Sequence, residues 1–318
     1  MPHDETATDQ SHGKRLLRLL RAFRLRRYRP LAMVAGSFLL VICGYGVEQL
    51  TIRKLEHEGI EVRPMGRETP LDFGASYETL ALPVGGRLLQ ARLVRGSSAT
   101  SRAVLIFHGN GEAVSDWSRV QALLHAAGLS SMVFDYSGFG NSTGTPTVDH
   151  LREDGLAAYR AFVEQLPAAQ ARYVIGHSLG NAVMLDVLPA LQPKPAGVVV
   201  HAGFTSAREM AIQTGLAAPW LVSFLPDLWD NEAAMARNVP ITLVMHSDAD
   251  EVIPQEMGVR LAAAAGRRAH FLSLHAIKHD ALYQESTPQE LQPIIDFVKG
   301  TGPSDASPRL AVAGPVHP

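Results

Sequence analysis

From Tyr77 to Lys299 the chain alternates short runs of apolar, β-forming residues with longer helix-forming stretches, an order that few folds accommodate. Eight strand-like runs stand out: ETLALPV, RLLQARLV, AVLIFH, SSMVFDY, RYVIGH, GVVVHAGF, ITLVMHS and AHFLSL. Helical patterns lie between the later ones, among them VDHLREDGLAAYRAFVEQL and PQEMGVRLAAAAG, and PQELQPIIDFVKG follows the last. Two hairpin-like strands followed by strand and helix in turn predict a mostly parallel sheet with helices on both faces. AVLIFH and GVVVHAGF lack the polar alternation of a half-exposed strand, so both are expected to be buried on two sides. Residues 205–238 break the rhythm with Trp220, Phe224 and Trp229 and are expected to form a short cap over the strand ends.

In such a sheet ligands sit where strands end and helices begin. RYVIGHSLGNAVML, residues 172–185, crosses that junction with Ser178 between Gly176 and Gly180, the G-x-S-x-G pattern of a serine held on a sharp strand-to-helix turn. The N–H of Leu179, at the start of the helix, would point into the same space and favour developing negative charge. A serine at this place could also be only a helix N-cap. A hydroxyl nucleophile needs a base and a set of oxyanion donors, and three further segments offer them. His108-Gly109-Asn110-Gly111 ends an earlier strand and can present a backbone N–H opposite Leu179, with His108 and His177 as structural hydrogen-bonding groups. MHSDADEVIP, residues 245–254, offers Asp248, Asp250 and Glu251 as acids, and HAIKHDALY, residues 275–283, offers His275 and His279 as bases. The order serine, acid, histidine along the chain is that of the α/β-hydrolase arrangement.

With these motifs, together with FDYSGFGNSTGTP, the chain resembles the α/β-hydrolase superfamily and, within it, membrane-associated serine hydrolases of the Bem46-like and depalmitoylase-like kind. The resemblance implies an α/β-hydrolase fold over 77–299. It assigns the acid to Asp250 through a pattern like H-G-x-x-D-x-x-V/I-P, and the base to His279, which precedes Asp280. Ser178, His279 and Asp250 would form the triad, with the backbone N–H groups of Asn110 and Leu179 as the oxyanion hole. Three positions depart from the family pattern: Ser247 and Ala276 stand where glycines are usual, and Ser137 where an arginine is common. The implied reaction is hydrolysis of a carboxylic ester or thioester, of a small or lipid-like acyl substrate, through an acyl-enzyme and without a cofactor. Phe204, Trp220, Phe224 and Trp229 would enclose the acyl group. Peptidase, amidase or acyltransferase chemistry on the same scaffold is the alternative, and a non-catalytic binding module the reading from another class.

The amino-terminal part is of a different character. Residues 14–29 carry eight of the 29 basic residues and no acid, and the 17 residues from 31 to 47 that follow carry no charge. At about 1.5 Å per residue a helix of that length reaches roughly 25 Å, enough to cross a bilayer at the short end. The expectation is a basic cytoplasmic segment, 1–30, a transmembrane signal anchor, 31–47, and a linker, 48–76, that places the catalytic domain on the extracytoplasmic side. A cleaved signal or a soluble helix is the alternative. Lipid attachment at Cys43, the single cysteine, is disfavoured by Ile42 before it. The tail, 300–318, is expected to be disordered. Without the eight amino-terminal cations and the three acids before them, 21 basic groups face 28 acidic ones, a balance that gives no reason to expect nucleic-acid binding. No H-E-x-x-H or C-x-x-C occurs, so no metal site is expected, and the glycine-rich FDYSGFGNSTGTP lacks the lysine of a phosphate loop.

Overall fold

Eight strands form one sheet in a computed structural model that describes residues 46, 49–50, 52–97, 102–216, 220, 228–237 and 239–301. In chain order they are β1 (Glu78–Val84), β2 (Arg87–Val94), β3 (Ala103–Phe107), β4 (Ser130–Phe134), β5 (Arg172–His177), β6 (Gly197–His201), β7 (Ile241–Ser247) and β8 (Ala269–Leu274). Their order across the sheet is β1-β2-β4-β3-β5-β6-β7-β8. β2 is antiparallel to both its neighbours, and every pairing from β4 to β8 is parallel. The eight expected strands and the hairpin-then-parallel order are those observed, and the fold is that of an α/β-hydrolase.

The interior strands show why the sequence runs there are apolar without interruption. Every residue of β3, β4 and β6 is buried. Because side chains alternate across a strand, Leu105 and Phe107 enter one apolar cluster while Val104 and Ile106 enter another on the opposite face. Helices α1 (Ser118–Ala126), α2 (Val148–Gln165), α3 (Leu179–Val187), α4 (Ala207–Gln213), α5 (Asn231–Ala236), α6 (Gln255–Ala265), α7 (Ala281–Gln284) and α8 (Pro288–Lys299) complete the described body. Their starts follow local chemistry. Thr147, Ser206 and Asp230 each accept a hydrogen bond from a backbone N–H in the first turn of α2, α4 and α5, and Pro288 opens α8 where its missing N–H does no harm.

The stretch expected as a linker, 48–76, differs from that expectation. Its prolines and charges suggest a tether, yet from Glu56 onward it is strapped to the domain. The Glu56 carboxylate accepts from Val148 N at 2.9 Å. Gly111 N donates to Glu61 O, Gly140 N to Arg63 O, and Gly66 N to Ser115 Oγ. The guanidinium of Arg92, from β2, donates to Glu68 O at 2.7 Å. Loop donors and acceptors thus satisfy a backbone that has no ladder of its own.

Contact density divides the chain into two units, Lys54–Ser223 with Asp227–Pro318, described above, and Met1–Arg53 with Phe224–Pro226. Of the second, Gly46, Gln49, Leu50, Ile52 and Arg53 are described, in helical conformation. The basic segment and nearly all of the anchor expected at 31–47 lie outside the described residues, as do Cys43, Phe224 and the tail from 302. Among the described residues no helix is long and apolar enough to cross a membrane.

Candidate active site

β5 delivers Ser178 to the carboxyl edge of the sheet, and the chain reverses there into α3. Ser178 holds φ +50° and ψ −120°, a conformation that L-residues seldom adopt and that occurs where surrounding structure enforces it. The two flanking glycines are demanded by space. A Cβ at Gly176 would stand 2.6 Å from Asn181 Oδ1, and one at Gly180 would run into the carbonyl oxygen of Phe107. Asn181 fastens the turn: it is buried, and its Nδ2 donates to His201 O at 2.8 Å and to Ser178 O at 3.2 Å. Ser178 N also donates to His201 O. Ala202 and Ala276, which follow β6 and β8, likewise have positive φ, so backbone strain gathers along this edge.

The loops after β7 and β8 bring two aspartate–histidine pairs together. His279 Nδ1 donates to Asp250 Oδ2 at 2.8 Å, with both side chains almost fully buried. Asp250 Oδ1 accepts from Val252 N and Ile253 N at 2.9 and 2.8 Å. Burial alone would raise the Asp250 pKa, but the hydrogen bonds from His246 and His279 and the Ile253 N–H outweigh it and hold the carboxyl below its ordinary range. With Nδ1 protonated toward Asp250, the free lone pair of His279 is on Nε2. The other pair, His275 and Asp248, has the same 2.8 Å separation in solvent, with side chains 74% and 47% exposed. The third acid offered by the sequence, Glu251, accepts from the backbone N–H of His279 at 3.2 Å.

Ser178, Leu179 and Asn110 all line one cavity of about 170 Å³. Asn110 also grips the strap: its Oδ1 accepts from Glu61 N at 2.8 Å and its Nδ2 donates to Gly59 O at 3.0 Å. Gly59 and Ile60 of the supposed linker are therefore cavity wall, which the sequence did not reveal. Phe204 and Trp229, expected to enclose an acyl group, also line this cavity. Trp220 does not: it is 74% exposed and outside the cavity lining, because aromatic composition reports apolar area without reporting direction. Phe224 lies outside the described residues.

Beneath the turn lies a row of buried ionisable groups. His177 Nδ1 faces His201 Nδ1 at 2.9 Å, His177 Nε2 is 3.3 Å from Glu112 Oε1, and His201 Nε2 is 3.4 Å from Glu290 Oε1. Burial keeps both imidazoles below their usual pKa and raises Glu112 well above the carboxylate range. Glu112 Oε2 accepts from Gly109 N and Trp117 Nε1 at 2.9 and 2.8 Å, which pins the loop that carries Asn110. His108 is likewise a structural group: burial lowers its pKa to about 4, and its Nδ1 meets Gly109 O at 2.9 Å. Glu112, Asn181, His201 and Glu290 had no role in the sequence reading. Only the first two stand inside a motif, and Glu290 comes from α8, far along the chain. Among the described residues one group assembled by folding, His177, His279 and Asp280, brings possible metal-ligand atoms within 4.8 Å of one another, and no sequence spacing announces it.

The three departures from the family pattern are also accounted for. Ser247 Oγ accepts from Ile277 N at 3.2 Å and ties the two loops together. Ala276 holds φ +57°, where glycine would be unstrained. Ser137 Oγ accepts from Arg87 Nε at 2.8 Å, and the same guanidinium pairs with buried Asp154. A cation therefore reaches this place from β2 instead of from the loop.

Comparison with known proteins agrees with this architecture. Residues 98–239 match the family described as serine aminopeptidase, S33. An uncharacterised protein of Mycobacterium tuberculosis is 30% identical over 187 residues, 58% of this chain and 65% of its own length. The lysophosphatidylserine lipase ABHD12 of Danio rerio is 25% identical over 63% of this chain and 59% of its own length, and the protein bem46 of Schizosaccharomyces pombe is 23% identical over 62% and 69%. The chain thus spans less than two thirds of the mycobacterial protein and of the lipase. The solved esterase Pf2001 of Pyrococcus furiosus superposes with a TM-score of 0.63 at 18% identity, over 76% of this chain and 98% of its own.

Proposed function

We propose, from the premise that the chain belongs to the α/β-hydrolases and is Bem46-like among them, that it is a serine hydrolase of carboxylic esters or thioesters. One observation carries the reading: a buried, hydrogen-bonded Asp250–His279 pair on the carboxyl edge that also holds Ser178 in a strained turn opening on an apolar cavity. His279 Nε2 takes the Ser178 proton as Oγ attacks the acyl carbon, and Asp250 stabilises the imidazolium and holds the tautomer. The N–H groups of Leu179 and Asn110 receive the oxyanion. The leaving alcohol or thiol takes the proton back from His279, water attacks the acyl-enzyme under the same base, and the acid is released.

Lipid-derived esters are favoured by the lipase among the relatives and by the apolar cavity wall. The amino-terminal segment, 31–47, is proposed as an anchor that keeps the basic flank in the cytoplasm and the domain on the other side. Carbonate-washed membranes should retain the full-length protein, and its release by the wash would refute the anchor. A second reading, aminopeptidase activity, is favoured by the description of the matching family. Fluorophosphonate labelling of the wild type but not of Ser178→Ala tests the nucleophile, and equal labelling of both would remove Ser178 from that role. Comparison of p-nitrophenyl esters with aminoacyl p-nitroanilides then separates the two readings.

A further inference from the structure

A second cavity, of about 780 Å³, lies beside the one that holds Ser178, and among the described residues Trp229 alone lines both. Helix α3 gives their relative placement. Leu179 lines the smaller cavity, while Ala182 and Leu185 line the larger. At about 1.5 Å per residue those positions lie roughly 4.5 and 9 Å further along the helix axis from Leu179. Trp229 is therefore shared by a chamber at the nucleophile and a larger one lined by further positions of α3.

The backbone under this indole is unusually constrained. Trp229 has φ +49°, an outlier for a bulky side chain that persists only where neighbours over-determine it. They do so here. Asn231 N donates to Trp229 O at 2.8 Å and to Thr205 O at 2.9 Å, while its buried Nδ2 donates to Phe204 O at 2.9 Å. Ala207 N donates to Leu228 O, and Asp230 caps α5 through Ala233 N. Trp229 is thus fixed on a strained turn stapled to the loop after β6, which also supplies Phe204 to the cavity.

We infer that Trp229 is the end wall of the acyl site and sets the longest acyl chain that can be seated at Ser178. The inference rests on the ester-hydrolase reading and adds a specificity determinant to it. Without the indole, a longer chain would continue past Ala182 toward Leu185 and Leu188 in the larger cavity.

The test compares kcat/KM for p-nitrophenyl acetate, butyrate, hexanoate and decanoate in the full-length wild type, Trp229→Ala and Trp229→Phe. Trp229→Ala should raise the decanoate-to-butyrate ratio at least about tenfold, the scale of an altered apolar pocket. Trp229→Phe, which keeps a smaller wall, should fall between. An unchanged ratio in a Trp229→Ala protein that ethyl fluorophosphonate still labels would overturn the inference. A second measurement needs no variant: ethyl fluorophosphonate should label the wild type at least about tenfold faster than decyl fluorophosphonate. Equal rates would overturn the end wall alone, whereas absence of labelling by either reagent would overturn the serine-hydrolase reading beneath it.

Discussion

The loops after β7 and β8 contribute two aspartate–histidine pairs of equal length, and the molecule treats them differently. Asp250 and His279 lie buried, with Asp250 held by the N–H groups of Val252 and Ile253, two residues of the Ser178 cavity wall, whereas Asp248 and His275 lie in water. Each hydrogen bond measures 2.8 Å, so geometry within the pair does not distinguish them. Surroundings do. The buried aspartate is supported by two backbone N–H groups and by His246, and its charge acts through little solvent. The exposed one is screened by water and ions, and a pair of that kind contributes little.

The largest consequence of that difference should be in turnover. His279→Ala should lower kcat by as much as Ser178→Ala, on the order of 10⁵–10⁶-fold, while His275→Ala should stay within about twofold of wild type in the same ester assay. Comparable losses for both histidines would erase the distinction. The acids should follow with a smaller effect. Asp250→Asn disfavours the productive tautomer and should cost on the order of 10⁴-fold in kcat, whereas Asp248→Asn should cost less than about threefold.

Stability sharpens the same contrast. The folded-state pKa of Asp250 lies below that of an unfolded aspartate, about 3.9. Its ionised form therefore stabilises the fold at pH values above that figure, and the contribution is lost as pH falls toward the folded-state value. Urea midpoints should show Asp250→Asn about 2 kcal/mol less stable at neutral pH, with the gap to wild type closing below about pH 4. A gap that widens in acid would contradict the assignment of an ionised, hydrogen-bonded Asp250. The smallest expected effect is at Ala276, between the two histidines. Ala276→Gly should relieve left-handed strain, raise stability by up to about 1 kcal/mol and lift Tm by about 2–4 °C, with both pairs retained.

The fold was legible because its signal is carried by composition within short windows. The runs AVLIF and GVVVH could only be strands buried on both faces, and the helices between them force a parallel sheet. Ser178 was legible because space leaves nothing but glycine at 176 and 180. The strap at Gly59–Glu68 was not, since its hydrogen bonds are made to loops and a strand at least 24 residues away and leave no local periodicity. Nor was the row from Glu112 through His177 and His201 to Glu290, which one loop, the last residues of β5 and β6 and a late helix assemble. Trp220 and Trp229 had equal standing as aromatic cap residues, but one is exposed and the other lines two cavities.

Sequence by itself determined the alternation of elements, the position of the strained serine turn and the short set of acids and bases able to serve it, because each depends on residue type and near-neighbour spacing. It could not separate Asp250 from Asp248 or His279 from His275 without appeal to family likeness. Only the tertiary structure placed one pair in the interior and the other in solvent, since burial is a property of how distant segments pack and no residue carries it alone.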